Sequence, residues 1–195
     1  MSKIMVVGSL IVDVAAYTPH FPVVGETALG TKLKFGPGGK GNNQATAASR
    51  AGGEVFMVSK TGKDFLQKIM LDHYEGEKMS TKYIYEDESV GTGSALIEID
   101  DNGDNRIVVI KDANDKLTAA EVDNAEEDFK DSDVLIMQLE TSEESILEGK
   151  KLAQKYGVPI ILNPAPFQAI PDGLFDGIDY LTPNETEAEF FTGIP

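Results

Sequence analysis

Asp13, Glu140, Asn163 and Asn184 each stand at or just past the C-terminal end of a short apolar run, where ligands collect in open α/β sheets. Any one of them alone is a common turn or cap residue, but four on one predicted rim form a candidate site. Their carboxylates and carboxamides suit sugar hydroxyls, because a hydroxyl both donates and accepts hydrogen bonds. A glycine cluster joins them. Gly36-Pro37-Gly38-Gly39-Lys40-Gly41-Asn42-Asn43 opens a helical pattern, so its unpaired N–H groups and Lys40 can hold a polar or anionic ligand. A tight turn alone would not ask for four glycines in six residues followed by an Asn pair.

Other chemistries compete for the same residues. Gly36, Gly38 and Gly41 satisfy G-x-G-x-x-G, which raises a dinucleotide-binding oxidoreductase of the NAD type. That fingerprint should follow the first core strand directly, whereas here the first strand ends at Ser9 and leads into Leu10-Ile11-Val12-Asp13. A Walker loop needs Ser or Thr after Gly-Lys, and Lys40 is followed by Gly41. Asn184 with Glu187, just before a Phe pair, has the spacing of a helix capping box as well as that of a rim site. Asp100 to Asp104 resembles the start of a calcium loop, but Asn105 stands where Gly is required and Lys111 where Glu is required. His20 and His73 have no ligand-spaced partners, so no residue is assigned as a direct metal ligand.

The elements that must position these residues follow a β-α-β rhythm. Ile4 to Ser9, Val55 to Ser59, Val134 to Leu139, Ile160 to Asn163 and Tyr180 to Thr182 read as short strands buried on both faces. Helical patterns fill several of the gaps. Thr118 with Glu121, and Thr141 with Glu144, fit capping boxes; one helix stops at Gly157, and an Ala-rich helix from about Asn42 ends at Gly52 and Gly53. A mostly parallel sheet follows. Two segments break the rhythm as antiparallel strands: Thr27 to Phe35, and Ser94 to Ile99 with Asn105 to Ile110 across Asn102-Gly103. Alternation in Ala95, Ile97, Ile99 and in Ile107, Val109 leaves one face to cover something, so these segments predict a small β layer over one end of the domain.

Composition narrows the partners. The 195 residues, 41% apolar, can bury one sizeable core, and the net charge of −16 repels phosphate backbones and anionic lipid. Neither nucleic acid nor a membrane is expected as a partner. No apolar stretch has the length of a membrane helix and the N-terminus lacks the pattern of a signal peptide, so the default expectation is cytoplasmic. The absence of cysteine agrees with a reducing compartment and removes thiolate chemistry.

Taken together, the motifs resemble the ribokinase family of carbohydrate kinases. They are Gly8-Ser9 with Asp13, Gly36 to Ala45, Met-Gln-Leu-Glu ending at Glu140, Asn-Pro-Ala-Pro from Asn163, and Thr-Pro-Asn-Glu-Thr-Glu-Ala-Glu from Thr182. They occur in family order along the whole chain. The resemblance implies a ribokinase-like α/β fold: a Rossmann-like, mostly parallel sheet with flanking helices and a small β-sheet lid, the lid strands inserted at about 14–36 and 91–111 of a domain spanning 1–195. It implies that Asp13, Gly38, Gly39, Lys40, Asn43 and Glu140 surround the sugar, and that Asn184 and Glu187 face the ATP phosphates and the magnesium shell. It further implies Mg2+ with ATP as co-substrate, room for a monovalent cation, and a homodimer through the lid. In this family an Asp in a Gly-Ala-Gly-Asp segment assists attack of a sugar hydroxyl on the γ-phosphate, and no such segment occurs here. The catalytic base is therefore expected C-terminal to Pro195, and the chain by itself is expected to be inactive. A non-catalytic sugar-binding module is the other reading of that missing segment. One departure stands out: ribokinases usually carry Asn two residues before the sugar-binding Asp, and this chain has Ile11.

Overall fold

The computed structural model of the chain describes residues 1–194. Six strands, β1 (Lys3–Val7), β4 (Glu54–Gly62), β5 (Ser80–Asp87), β8 (Val134–Met137), β9 (Ile160–Leu162) and β10 (Tyr180–Leu181), form one sheet in the order β10-β9-β8-β1-β4-β5. Every neighbouring pair is parallel. In the inner strands β1, β4, β8 and β9 both faces are covered, so alternate residues feed two cores, whereas the edge strands β5 and β10 stay largely exposed. Met5, Val7, Leu135 and Met137 pack with Phe129, Ile146 and Leu152, whereas Val6, Val55 and Met57 pack with Ala45, Met70 and Tyr74 on the other face.

The helices are α1 (Lys40–Arg50), α2 (Phe65–Gly76), α3 (Ala119–Asp123), α4 (Glu126–Lys130), α5 (Glu143–Tyr156) and α6 (Glu185–Thr192). The Thr118–Glu121 capping box forms as the spacing predicts. For α5 the cap is Ser142, whose hydroxyl accepts from Ser145 N, and not Thr141, so the expected box lies one residue off. Gly157 ends α5 in the left-handed conformation, with φ 68°.

A second sheet, β3-β2-β6-β7, forms the lid from β2 (Ile11–Tyr17), β3 (Lys32–Gly38), β6 (Ser94–Ile99) and β7 (Asn105–Ile110). Its β2–β6 pair is parallel and the other two are antiparallel. The hairpin β6–β7 has the predicted bounds, and the acidic Asp100–Asp104 stretch is its turn: Asp100 Oδ1 accepts from Asn102 N and Asp104 N at 2.9 and 3.0 Å. Two expectations shift. The strand expected over Thr27 to Phe35 runs instead through Gly36-Pro37-Gly38, since pairing with β2 fixes its register from Tyr17↔Lys32 to Ile11↔Gly38. Proline is tolerated there because β3 is an edge strand. Asp13 likewise belongs to lid strand β2 and not to the rim of the parallel sheet. No helix among the described residues is long and apolar enough to cross a membrane.

Candidate functional site

The site lies where the lid meets the carboxyl edge of the parallel sheet. β1 ends at Val7, and Gly8, Ser9 and Leu10 carry the chain straight into β2, which turns Ile11 and Asp13 toward the start of α1. A cleft of about 260 Å³ opens there, with Asp13, Gly39, Lys40, Asn43 and Glu140 on its polar side and Ile11, Ala95, Ile97, Ile107 and Val109 on its apolar side. Five of the six residues expected around the sugar thus line one cleft.

Gly38, the sixth, acts by making room. A Cβ on it would lie 2.4 Å from Asp13 Oδ1. Gly39 precedes α1 with φ 89°, a conformation L residues rarely adopt, and a Cβ there would meet Ile11 N at 2.9 Å. The glycine cluster therefore lets the helix start approach strand β2 and leaves the Asp13 carboxylate its place.

Glu140 is held from two sides. Its Oε2 accepts from Ser9 Oγ at 2.6 Å and from Lys40 N, the first residue of α1, at 2.8 Å. Ser9 is fully buried and its hydroxyl also accepts from Gly41 N at 3.3 Å. A carboxylate at a helix N-terminus satisfies an orphan N–H group and the positive end of the helix dipole together. Asp13 has no such support: burial first, and the negative charge of Glu140 second, push its carboxyl above the usual range.

Asn184 and Glu187 stand elsewhere along the same edge, past β10. They form a reciprocal capping box, with Glu187 N donating to Asn184 Oδ1 at 2.8 Å and Asn184 N donating to Glu187 Oε2 at 2.9 Å. Neither lines the cleft described above. Asn163 ties the loops after β9 and β10 together through a 2.8 Å bond from Nδ2 to Thr182 O. Ser9 supports the site although the sequence reading assigns it no role of its own; its signal is the Gly8-Ser9 motif. Among the described residues no group of three His, Asp or Glu side chains is placed to hold a metal ion.

A parallel α/β sheet roofed at its carboxyl edge by a β lid, with carboxylates and a helix start in the cleft between, defines a small-ligand-binding α/β protein. Residues 1–195 match the model of the pfkB family carbohydrate kinase. The chain is 41% identical over 188 residues to the ribokinase of Bacillus subtilis, covering 96% of this chain and 64% of that protein. It is 35% identical over 193 residues to the deoxyribokinase of Salmonella typhi, covering 98% and 63% respectively. The structure of Arabidopsis thaliana ribokinase complexed with ribose and ATP superposes with a TM-score of 0.89 at 28% identity, over 100% of this chain and 64% of that one. The chain belongs to the pfkB family of carbohydrate kinases. It spans a little under two thirds of the length of these curated relatives.

Proposed function

We propose that residues 1–195 supply the sugar-binding part of an ATP-dependent kinase that phosphorylates a hydroxyl of ribose or a related pentose. The observation that carries this reading is the two-sided cleft. Asp13, Lys40, Asn43 and Glu140 offer acceptors and donors to hydroxyls, and Ile11, Ala95, Ile97 and Val109 offer an apolar wall to the C–H face of a sugar ring. The similarity to a ribokinase, a deoxyribokinase and a ribokinase complexed with ribose and ATP supports a pentose.

ATP is assigned to the side of Asn184 and Glu187. The capping box fixes the Glu187 carboxylate at the first turn of α6 beside Glu185, so this helix start repels a bare triphosphate. If magnesium binds here, Asn184 and Glu187 would face its water shell, and the ion would supply the positive charge that offsets this carboxylate against the phosphates. A monovalent cation, which the resemblance also implies, is assigned to no residue of this chain. The lid pairs with a second copy in this reading, since Leu96 and Val108, which alternate with the cleft-lining residues and so lie on the other face of the lid, remain 50% and 61% exposed.

Residues 1–195 contain no Gly-Ala-Gly-Asp segment, so the base and the anion hole are assigned outside them. Phosphoryl transfer depends almost wholly on positioning and charge stabilisation, and the chain alone is therefore expected to bind sugar without turnover. Calorimetric titration with ribose and 2-deoxyribose, beside an assay for sugar-dependent ADP release, tests both halves. Failure to bind any pentose sinks the sugar assignment, and ADP release would refute the placement of the base.

A further inference from the structure

Asn114 is completely buried, although it sits in the 3-10 turn Asp112–Lys116 that leaves lid strand β7. Its side-chain amide is fully used. Oδ1 accepts from Leu10 N at 2.8 Å, while Nδ2 donates to Leu10 O and to Lys111 O, both at 2.9 Å. Its main-chain oxygen accepts from Ser142 N at 3.2 Å and from Leu117 N at 3.4 Å.

Three of the segments so joined border the cleft. Leu10 precedes Ile11 and lies three residues before Asp13; Ser142 follows Glu140 by two; Lys111 directly follows the last strand of the lid hairpin. The other end of that hairpin is also in contact. Gly93 precedes β6, its carbonyl accepts from Val12 N at 2.8 Å, and a Cβ added to it would lie 2.2 Å from Asn114 Nδ2. The amide therefore bonds the Lys111 end of the hairpin β6–β7 to Leu10, just before the strand that carries Asp13, and packs against Gly93 at the other end, while the Asn114 main-chain carbonyl holds the segment behind Glu140.

We infer that Asn114 is a positioning residue for the sugar cleft: its side chain sets the distance between the root of the lid and the Asp13–Glu140 pair. The inference rests on the sugar-site reading above. Asn114 touches no residue of the polar wall and acts through the Leu10 backbone, one step from it. Removing the amide leaves buried N–H and C=O groups of Leu10 without partners, so that backbone must shift or admit water.

The test is pentose binding by the 195-residue chain, measured by calorimetry at a temperature where circular dichroism shows each variant folded. Asn114→Ala is expected to bind the tighter of ribose and 2-deoxyribose roughly 10-fold more weakly, the loss corresponding to one unsatisfied buried group. Gly93→Ala reaches the same point with Asn114 still in place: Gly93 does not adopt a left-handed φ, and its Cβ would press on Asn114 Nδ2 and on the Leu10 and Lys111 carbonyl oxygens that the amide holds. It should lose affinity in parallel, and it decides the matter by itself if Asn114→Ala does not fold. Each variant is then combined with Asp13→Asn. An amide that positions Asp13 gives a combined loss smaller than the sum of the single losses, because the second change acts on a contact already gone. Variants that bind as wild type, or losses that simply add, overturn the inference. A wild-type chain that binds neither pentose overturns the sugar-site reading and this inference with it.

Discussion

Asp13 on lid strand β2 and Glu140 just past strand β8 face one cleft, and only Glu140 is paired: a serine hydroxyl and a helix N–H hold it, while Asp13 meets burial and its neighbour's negative charge. The asymmetry predicts opposite effects on stability and on binding. A carboxyl whose folded pKa is raised binds its proton more readily in the folded chain. Its contribution to stability is then fully present below the unfolded carboxylate range and is lost as pH rises through the folded value. At neutral pH the ionised Asp13 is a net cost. Asp13→Asn is expected to raise the thermal midpoint at pH 7, with the gain shrinking in acid; a midpoint that falls at pH 7 would contradict the raised pKa.

The same substitution should weaken pentose binding by about 10-fold or more, since hydrogen bonds from hydroxyls to a carboxylate are charge-assisted and those to a carboxamide are not. Wild-type affinity should also fall as the pH drops through the raised titration of Asp13. Calorimetric titrations across that range check the direction, and a pH-independent affinity would return Asp13 to the status of an ordinary strand residue.

Gly38 and Gly36 provide a matched comparison. Gly38→Ala places a methyl group where the Asp13 carboxylate now lies, 2.4 Å from Oδ1, whereas a Cβ on Gly36 meets nothing within 4 Å. Neither residue has a left-handed φ, so backbone strain does not confuse the pair. Gly38→Ala should lose sugar affinity and Gly36→Ala should keep it. Equal behaviour of the two would separate Asp13 placement from binding.

Far from the cleft, Asp128 anchors the outer edge of the fold. Burial alone would push its carboxyl up, but hydrogen bonds from Lys3, Lys82 and the Tyr83 hydroxyl outweigh burial and hold it well below the usual range. A depressed pKa contributes stability above the unfolded carboxylate range that is lost as pH falls through the folded value. Asp128→Asn should therefore destabilise the chain by about 1–3 kcal/mol at pH 7, the worth of hydrogen bonds to a charged group. Chemical denaturation of the variant and the wild type at pH 7 and in acid should show that difference narrowing as the pH falls.

Five of the six parallel strands are legible as short apolar runs bounded by polar residues, and the hairpin β6–β7 is legible because Asn102-Gly103 marks its turn and alternation marks its face. The edge strand β5 is not, because Ser80-Thr81-Lys82-Tyr83 and the residues after it mix polar and aromatic side chains. Strand β3 was displaced in the reading because Gly36-Pro37-Gly38 has turn chemistry, and only its pairing with β2 makes it a strand. Strand β2 was hidden for a related reason. It follows β1 after three residues without a turn signal, so Asp13 reads as a rim residue when it belongs to the lid. The polar residues of the cleft were found as motifs. Asn114 was not, because its role depends on Leu10 and Gly93, 104 residues and 21 positions away in sequence, and no local spacing encodes those contacts.

Ile11 gives the sharpest expectation about the ligand. It is 2% exposed and lines the cleft two residues before Asp13, on the same face of β2, where the family pattern carries Asn. An apolar side chain offers no partner to a hydroxyl, so a sugar that presents one there buries an unsatisfied group at a cost of roughly 1–3 kcal/mol. A sugar with a carbon-bound hydrogen at that point escapes the cost. 2-Deoxyribose is therefore expected to compete with or surpass ribose, and Ile11→Asn should shift the preference toward ribose by restoring a donor and an acceptor. The measurement is the ratio of affinities for the two sugars in the wild-type chain and in the variant. A change in that ratio of about 10-fold corresponds to one hydrogen bond gained or left unmade. If both affinities move together and the ratio holds, Ile11 does not read the sugar, and the discrimination must come from the polar wall formed by Asp13, Asn43 and Glu140.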